Sequence, residues 1–259
     1  MKYIFAILIL LSTSGDAFSG SPYELSLQRD TSLLLSGVCG IAFSSHLGDN
    51  MSPLAKNNVA DLSPDNVNRF DRIAIGYYSQ NAASMSDWFM YQNAMLPALM
   101  LLDSRTSNDR AKLGIMFLES HMLNFALTGI TKDLVKRVRP YAYNSSVPMR
   151  RKLTKNARRS FFSGHTSVAF TGAALFASLY GEYHPESRWK THLWIFSLTS
   201  ASITGYLRVR AGKHFPSDVI AGAIAGTLSG ILVPELHVKD NATNQHRITV
   251  PLFAVSMQF

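Results

Sequence analysis

Six apolar stretches, at residues 31–47, 84–102, 113–131, 163–180, 191–207 and 217–236, constrain this chain more than any other feature. Each approaches the roughly 20 residues that a helix needs to cross a bilayer. The expectation is an all-α protein, a helical bundle integral to a membrane with five or six hydrophobic helices. The stretches differ in content. Residues 84–102 include Asp87, Gln92, Asn93 and Pro97, and residues 113–131 include Glu119, His121 and Asn124. Such side chains must face a bundle interior. Gly222, Gly226 and Gly230 recur at every fourth position, a row that lets two helices pack closely.

Composition narrows the possible functions. With 47% hydrophobic and 16% charged residues, the chain is neither disordered, nor a coiled coil, nor an acidic solvating segment. Lys and Arg number 25 against 17 Asp and Glu, a net charge of +8, which points to an anionic partner such as a phosphate ester or anionic lipid. Nucleic acid is a poor partner, because no recognised module or stacking platform accompanies the charge. Cys39 is the single cysteine, so an internal disulfide and a multi-cysteine zinc site are excluded. No carboxylate cluster is visible along the sequence, and neither a metal nor another cofactor is expected.

Residues 1–19 read as a signal peptide. Lys2 supplies the positive start, Tyr3 to Leu11 is an apolar run, and Ala17-Phe18-Ser19 offers a small-x-small cleavage pattern. Residues 20–112 then hold N-terminal helices and a polar loop, expected to form the substrate-access region. Within them, residues 48–83 are polar, and Ser63-Pro64-Asp65 reads as a helix start leading into a short helix near 65–79. Residues 113–236 form the expected core. In the tail, 237–259, Ile248, Val250 and Leu252 alternate as in a strand.

Three polar clusters border the later helices. Lys132 and Arg139 are seven residues apart, which places them on nearly one helical face before Pro140 ends the helix. Ser163 is a natural N-cap for the helix that follows, and the N–H groups of Ser163, Gly164 and His165 there would form an anion cradle. His165 is placed to donate a proton to whatever the cradle holds. In the third cluster, Arg208 precedes His214, and Asp218 follows in the first turn of the last helix. Asp218 is close enough to accept a hydrogen bond from one His214 nitrogen and make the other more nucleophilic. Each cluster alone has an ordinary structural reading as a helix terminus or cap.

Taken together, Lys132-x6-Arg139-Pro140, Ser163-Gly164-His165 and Arg208-x5-His214-x3-Asp218 resemble the three-part signature of the type 2 phosphatidic acid phosphatase (PAP2) and vanadium haloperoxidase superfamily. The likeness covers about residues 113–236. Phe162 stands where the family usually has proline before Ser-Gly-His, and Leu207 where it usually has serine before the arginine. The resemblance implies that His214 attacks phosphorus to form a phosphohistidine, that Asp218 orients it, and that His165 protonates the leaving alkoxide. Lys132, Arg139, Arg208, Ser163 and Gly164 would bind the phosphate oxygens in place of a metal.

The expected activity is therefore metal-independent hydrolysis of a membrane lipid phosphate: phosphatidate, phosphatidylglycerophosphate, undecaprenyl diphosphate or a lipid A phosphate. A soluble periplasmic acid phosphatase of the same superfamily, a vanadium-dependent haloperoxidase and a non-catalytic membrane scaffold are the alternatives. The sequence leaves the oligomeric state open. The basic run Arg150, Arg151, Lys152, Lys155, Arg158 and Arg159 is a solvated loop or a contact for anionic head groups. The positive-inside rule places this run in the cytoplasm. The bacterial lipid phosphatases that the chain resembles usually keep their site outside the inner membrane. The two conflict, and the helix count carries the same conflict: with the signal cleaved, a crossing 31–47 puts residues 140–160 inside, whereas a non-crossing 31–47 returns them outside. An outward, periplasmic site with 31–47 as an interfacial or packing helix is expected.

Overall fold

Five of the six apolar stretches fold as uninterrupted α-helices in the computed structural model, which describes residues 20–239. The long helices are α1 (Leu27–Asp49), α2 (Gln80–Ala94), α3 (Arg110–Val135), α4 (Gly164–Tyr183), α5 (Lys190–Arg210) and α6 (Pro216–His237). The exception is the second stretch. Pro97 cannot continue the α2 hydrogen-bond ladder, so Leu96–Leu102 follows as a 3-10 segment and α2 has 15 residues. No β-strand occurs among the described residues; Tyr23 and Val238 form an isolated bridge. The expected signal segment and the alternating Ile248, Val250 and Leu252 lie outside the described residues.

The polar stretch before α2 contains two short 3-10 turns, Pro64–Asn66 and Arg72–Gly76, rather than one helix over 65–79. Ser63 does cap the first of them by accepting from the Asp65 N–H. Three helical runs are long and apolar enough to cross a membrane by length and composition: Leu27–Asp49, Arg110–Tyr143 and Pro216–His237.

α1 is longer than the apolar stretch 31–47 expected as an interfacial or packing helix, and it does pack along its neighbour. It has 23 residues, about 34 Å at 1.5 Å per residue. It runs parallel to α3, with Gly37 against Met122, Gly40 against Ala126, and Ser44 against Gly129. The chain then returns through α2 and the turns up to Thr106, ascends in α3, descends in α4, ascends in α5 and descends in α6. This path gathers the ends of α1, α3 and α5 with the starts of α2, α4 and α6 at one end of the bundle.

The glycine row explains how tightly that end is assembled. An added Cβ at Gly222 would lie 2.5 Å from the Ser163 carbonyl oxygen, at Gly226 2.1 Å from that of Ser167, and at Gly230 2.5 Å from that of Thr171. Glycine is required for this approach, which draws the start of α6 onto the start of α4. The opposite face of α6 carries Ile220, Ile224, Leu228, Leu232 and Leu236, each about half exposed. Their spacing of four makes a continuous apolar stripe along the helix. The core beneath is built around α4, where Ala169, Ala173, Leu175 and Leu179 are fully buried among α3, α5 and α6.

Candidate active site

All eight residues singled out in the sequence meet at the assembled end. Lys132 lies in the last turn of α3, and Ser163 caps α4 while Gly164 and His165 open it. Arg208 lies in the last turn of α5, His214 in the loop that follows, and Asp218 in the first turn of α6. Arg139 arrives differently from the expectation. α3 stops at Val135, Lys136 adopts a left-handed conformation (φ 51°), and Arg139 is extended immediately before Pro140. Pro140 therefore starts a short helix, Pro140–Tyr143, instead of ending a long one. Lys132 and Arg139 reach the site from separate segments and not from one helical face.

His214 is fully buried and bonded at both ring nitrogens. Its Nδ1 lies 2.7 Å from the Ser160 carbonyl oxygen, and Arg139 NH1 lies 3.1 Å from Nε2. A carbonyl accepts and a guanidinium donates, so this network assigns the proton to Nδ1 and the lone pair to Nε2. Burial, reinforced by Arg139, Lys132 and Arg208, holds the imidazole well below its ordinary pKa. His214 thus presents a neutral, unprotonated Nε2 towards a guanidinium. The adjacent Lys213 is pulled down to about 8 by burial and by Arg139 and Arg208.

Asp218 supports His214 less directly than the spacing suggested. It lies 3.7 Å from Nδ1, farther than the Ser160 carbonyl. Its Oδ2 accepts from the Ser160 hydroxyl at 2.5 Å and from the Phe215 N–H at 2.9 Å. Ser160 is thereby clamped between Asp218 and His214. Asp218 Oδ1 accepts from Arg137 NH1 at 2.5 Å, and Arg137 NH2 donates to Asp71 at 2.7 Å. Burial raises the Asp71 carboxyl, but hydrogen bonds from Ser217 and Arg137 outweigh it and hold the group below the usual carboxylate range.

The anion-binding groups are only partly as expected. The Ser163 N–H is already committed to the Asp218 carbonyl oxygen at 3.0 Å, and its hydroxyl pairs with Thr166 at 2.8 Å. The N–H groups of Gly164 and His165 remain as first-turn donors without intrahelical acceptors. The Lys132 ammonium donates to the Phe162 and Arg159 carbonyl oxygens, with its stem 3.5 Å from where a Gly164 Cβ would lie. Arg208 NH1 donates to Ser86 at 3.1 Å, while its buried Nε has no hydrogen-bond partner. Three cations therefore converge, with the buried Arg208 Nε donor unspent.

Four further residues complete the site. Asp87 on α2 lies 2.8 Å from His165 Nε2 and 3.5 Å from Arg208 NH1. Its signal in the sequence was its presence as an acid inside an apolar stretch. Arg137 lay within the first basic cluster, but nothing in its spacing set it apart. Ser160 and Asp71 carried no signal, because their roles depend on loop contacts. The basic run is partly occupied: Arg159 pairs with Asp133 at 3.0 Å, Lys155 donates to the Asp49 carbonyl oxygen at 2.7 Å, and Arg158 donates to that of Ser52. Lys155 and Arg158 tie the loop to the end of α1 and the residues just after it, Arg159 ties it to α3, and Lys152 is buried, leaving Arg150 and Arg151 as the exposed part of the run.

Residues 113–242 match the sequence profile of the PAP2 superfamily. The chain belongs to the PAP2 superfamily. It is 30% identical over 131 residues to an undecaprenyl-diphosphatase of Sulfolobus acidocaldarius, covering 50% of this chain and 56% of that one. It is 35% identical over 96 residues to a lipid A 1-phosphatase of Porphyromonas gingivalis, covering 36% of this chain and 20% of the other. The matched segments thus span about half and one fifth of these curated relatives. A solved PAP2-type transmembrane phosphatidylglycerolphosphate phosphatase from Bacillus subtilis is 18% identical, with 95% of this chain and 98% of that one covered and a TM-score of 0.46.

Proposed function

We propose that this PAP2 chain is a membrane phosphatase that hydrolyses a lipid phosphate or diphosphate without a metal at its catalytic centre. The observation that carries the proposal is the buried neutral His214, whose unprotonated Nε2 faces Arg139 beside Lys132 and Arg208. In the first step Nε2 attacks phosphorus, a P–N bond forms, and the bond to the leaving oxygen breaks. His165 supplies the proton that the leaving alkoxide takes up, with Asp87 holding Nε2 of that ring. Water then attacks phosphorus, gives a proton back to His165, and releases phosphate from His214. Arg139, Arg208 and Lys132 neutralise the oxygens on which charge accumulates.

A lipid substrate is supported by a groove between α2 and α5. It encloses about 510 Å³ and is lined by Phe89, Gln92, Ile195, Phe196, Thr199 and Ile203, among others. The groove runs along the two helices that carry Asp87 and Arg208, with Phe89 two residues from the first and Ile203 five from the second, and its wall is largely apolar. Residues 20–112, which contribute α2, would form the substrate-access region. The apolar stripe on α6 favours a membrane over the soluble periplasmic alternative, since about half of each side chain would otherwise face water.

Phosphate release by detergent-purified protein in EDTA tests the substrate reading, with phosphatidate, undecaprenyl diphosphate, lipid A and a soluble aryl phosphate in parallel. Preferential release from one of the lipids is expected. Release confined to the aryl phosphate, together with release of the protein from membranes by carbonate, would establish the soluble alternative.

For location we retain the inner membrane with the catalytic end facing the periplasm. The path through α1 adds a condition: if α1 crosses, its start must then be cytoplasmic. A cleaved signal and an outward site exclude each other when all six helices cross. Cysteine introduced at Ser145 in a Cys39→Ser background should react with an impermeant maleimide in spheroplasts. Protection would place the site in the cytoplasm and restore the cleaved signal.

A further inference from the structure

At the end of the bundle away from His214, α1, α3 and α6 bring together Asp30, Glu119 and His237, all fully buried. Asp30 lies in the first turn of α1, and His237 is the last residue of α6. The segment before α1 closes over them: the Glu24 N–H donates to the His237 carbonyl oxygen at 2.9 Å, and the Lys239 N–H to that of Pro22 at 3.0 Å. No metal-ligand group is legible in the sequence, because these residues share no motif. Only the packing of three distant helices assembles them.

The geometry asks for a cation. His237 Nδ1 donates to the Val233 carbonyl oxygen at 2.7 Å, which turns Nε2 towards the acids. Nε2 is 3.2 Å from Asp30 Oδ1 and 3.2 Å from Glu119 Oε2. Neither contact is aligned as a hydrogen bond, and both Glu119 oxygens and His237 Nε2 lack a hydrogen-bond partner. Burying a carboxylate in this state is costly.

A proton on His237 is one candidate cation, and the distances argue against it. A charge-assisted bond would draw one oxygen to about 2.7–2.9 Å. Elsewhere in this chain histidine–carboxylate pairs do close, His165 with Asp87 at 2.8 Å and His184 with Asp103 at 2.5 Å. Two equal separations of 3.2 Å instead match the edge of a tetrahedron whose centre lies about 2.0 Å from each corner, the length of zinc bonds to nitrogen and oxygen. The His237 contact to Val233 also fixes the ring as the outer contacts of metal-binding histidines do. Arg29 Nε, 2.8 Å from Asp30 Oδ1, and the Ser26 N–H, 2.9 Å from Oδ2, orient the other carboxylate. Oδ1 keeps a second lone pair for a metal.

We propose that Asp30, Glu119 and His237 form a structural site for a divalent transition metal of the zinc type, with water as the fourth ligand. The ion ties α1, α3 and α6 at the end remote from phosphoryl transfer, and it takes no part in that chemistry. The inference stands on this cluster alone and does not depend on the phosphatase reading.

Full-length protein, purified in detergent, loaded with Zn²⁺ and desalted, should retain about one zinc per chain by elemental analysis. Co²⁺ loading should give the visible bands of a tetrahedral site. Glu119→Gln and His237→Ala should each retain less than about one tenth of an equivalent. Should the alanine variant not fold, His237→Cys keeps the test decisive, because a thiolate ligand adds a charge-transfer band to the Co²⁺ spectrum. Wild-type protein that retains less than about one tenth of an equivalent after loading overturns the proposal, as does undiminished retention by folded Glu119→Gln.

Discussion

At the catalytic end of the bundle, Lys132, Arg139 and Arg208 crowd around a neutral imidazole, and His165 remains 30% exposed at the mouth. At the far end, Asp30 and Glu119 flank His237 with all three side chains sealed from solvent. The two ends enclose their charged groups differently. An open pocket of cations suits an anion that enters, reacts and leaves. A sealed pocket of acids suits a cation acquired during folding and kept. The same helices α3 and α6 contribute to both, so one bundle separates an exchanging ligand from a permanent one by what covers each end.

The largest expected effect isolates the catalytic end. His214→Ala should lower the rate of phosphate release by about four orders of magnitude. The cations form the next layer. Arg208→Gln, which removes the buried unpartnered Nε donor, should lower kcat/KM about 10²- to 10³-fold, in steady-state assays on the preferred lipid. A smaller loss in Arg208→Gln than in Asp87→Ala would reverse the assigned order of importance.

Asp87 acts through His165 and Arg208, so its removal should be milder. Asp87→Ala is expected to lower kcat about tenfold while KM stays within about twofold. A rise in KM alone would show that the carboxylate serves binding instead of positioning.

The smallest effect is a displacement of the pH profile. The reactive form of His214 is neutral, and acid removes it by protonation. Since burial and the neighbouring cations depress its pKa, the acid limb of kcat/KM should fall below the ordinary histidine value of about 6.5. A limb at or above that value would mean that the pocket does not hold His214 in its neutral form.

The sequence brought out the candidate catalytic residues better than their geometry. His214 and Asp218 were legible from their spacing, but Ser160 stands between them through a loop that no periodicity describes. Lys132 and Arg139 were legible as a pair, yet the left-handed Lys136 separates them onto different segments. Gly222, Gly226 and Gly230 were read correctly as a packing row, because a repeat of four has the same meaning wherever a helix forms. Asp87 and Glu119 both stood out as acids in apolar stretches. Only the structure shows that one meets a histidine at an open pocket and the other at a closed one. The length of α1 was less legible, since the apolar stretch 31–47 is shorter than the helix Leu27–Asp49, in which Ser44 packs against Gly129 and donates to Asp133 at 2.9 Å.

The most direct test of the central claim is rapid-quench trapping of the phosphoenzyme with ³²P-labelled lipid phosphate. Wild-type protein should carry an acid-labile, base-stable phosphoryl group on His214, formed and lost at rates compatible with turnover, and His214→Ala should carry none. Turnover by His214→Ala at the wild-type rate, or a phosphoryl group on another residue, would contradict the account.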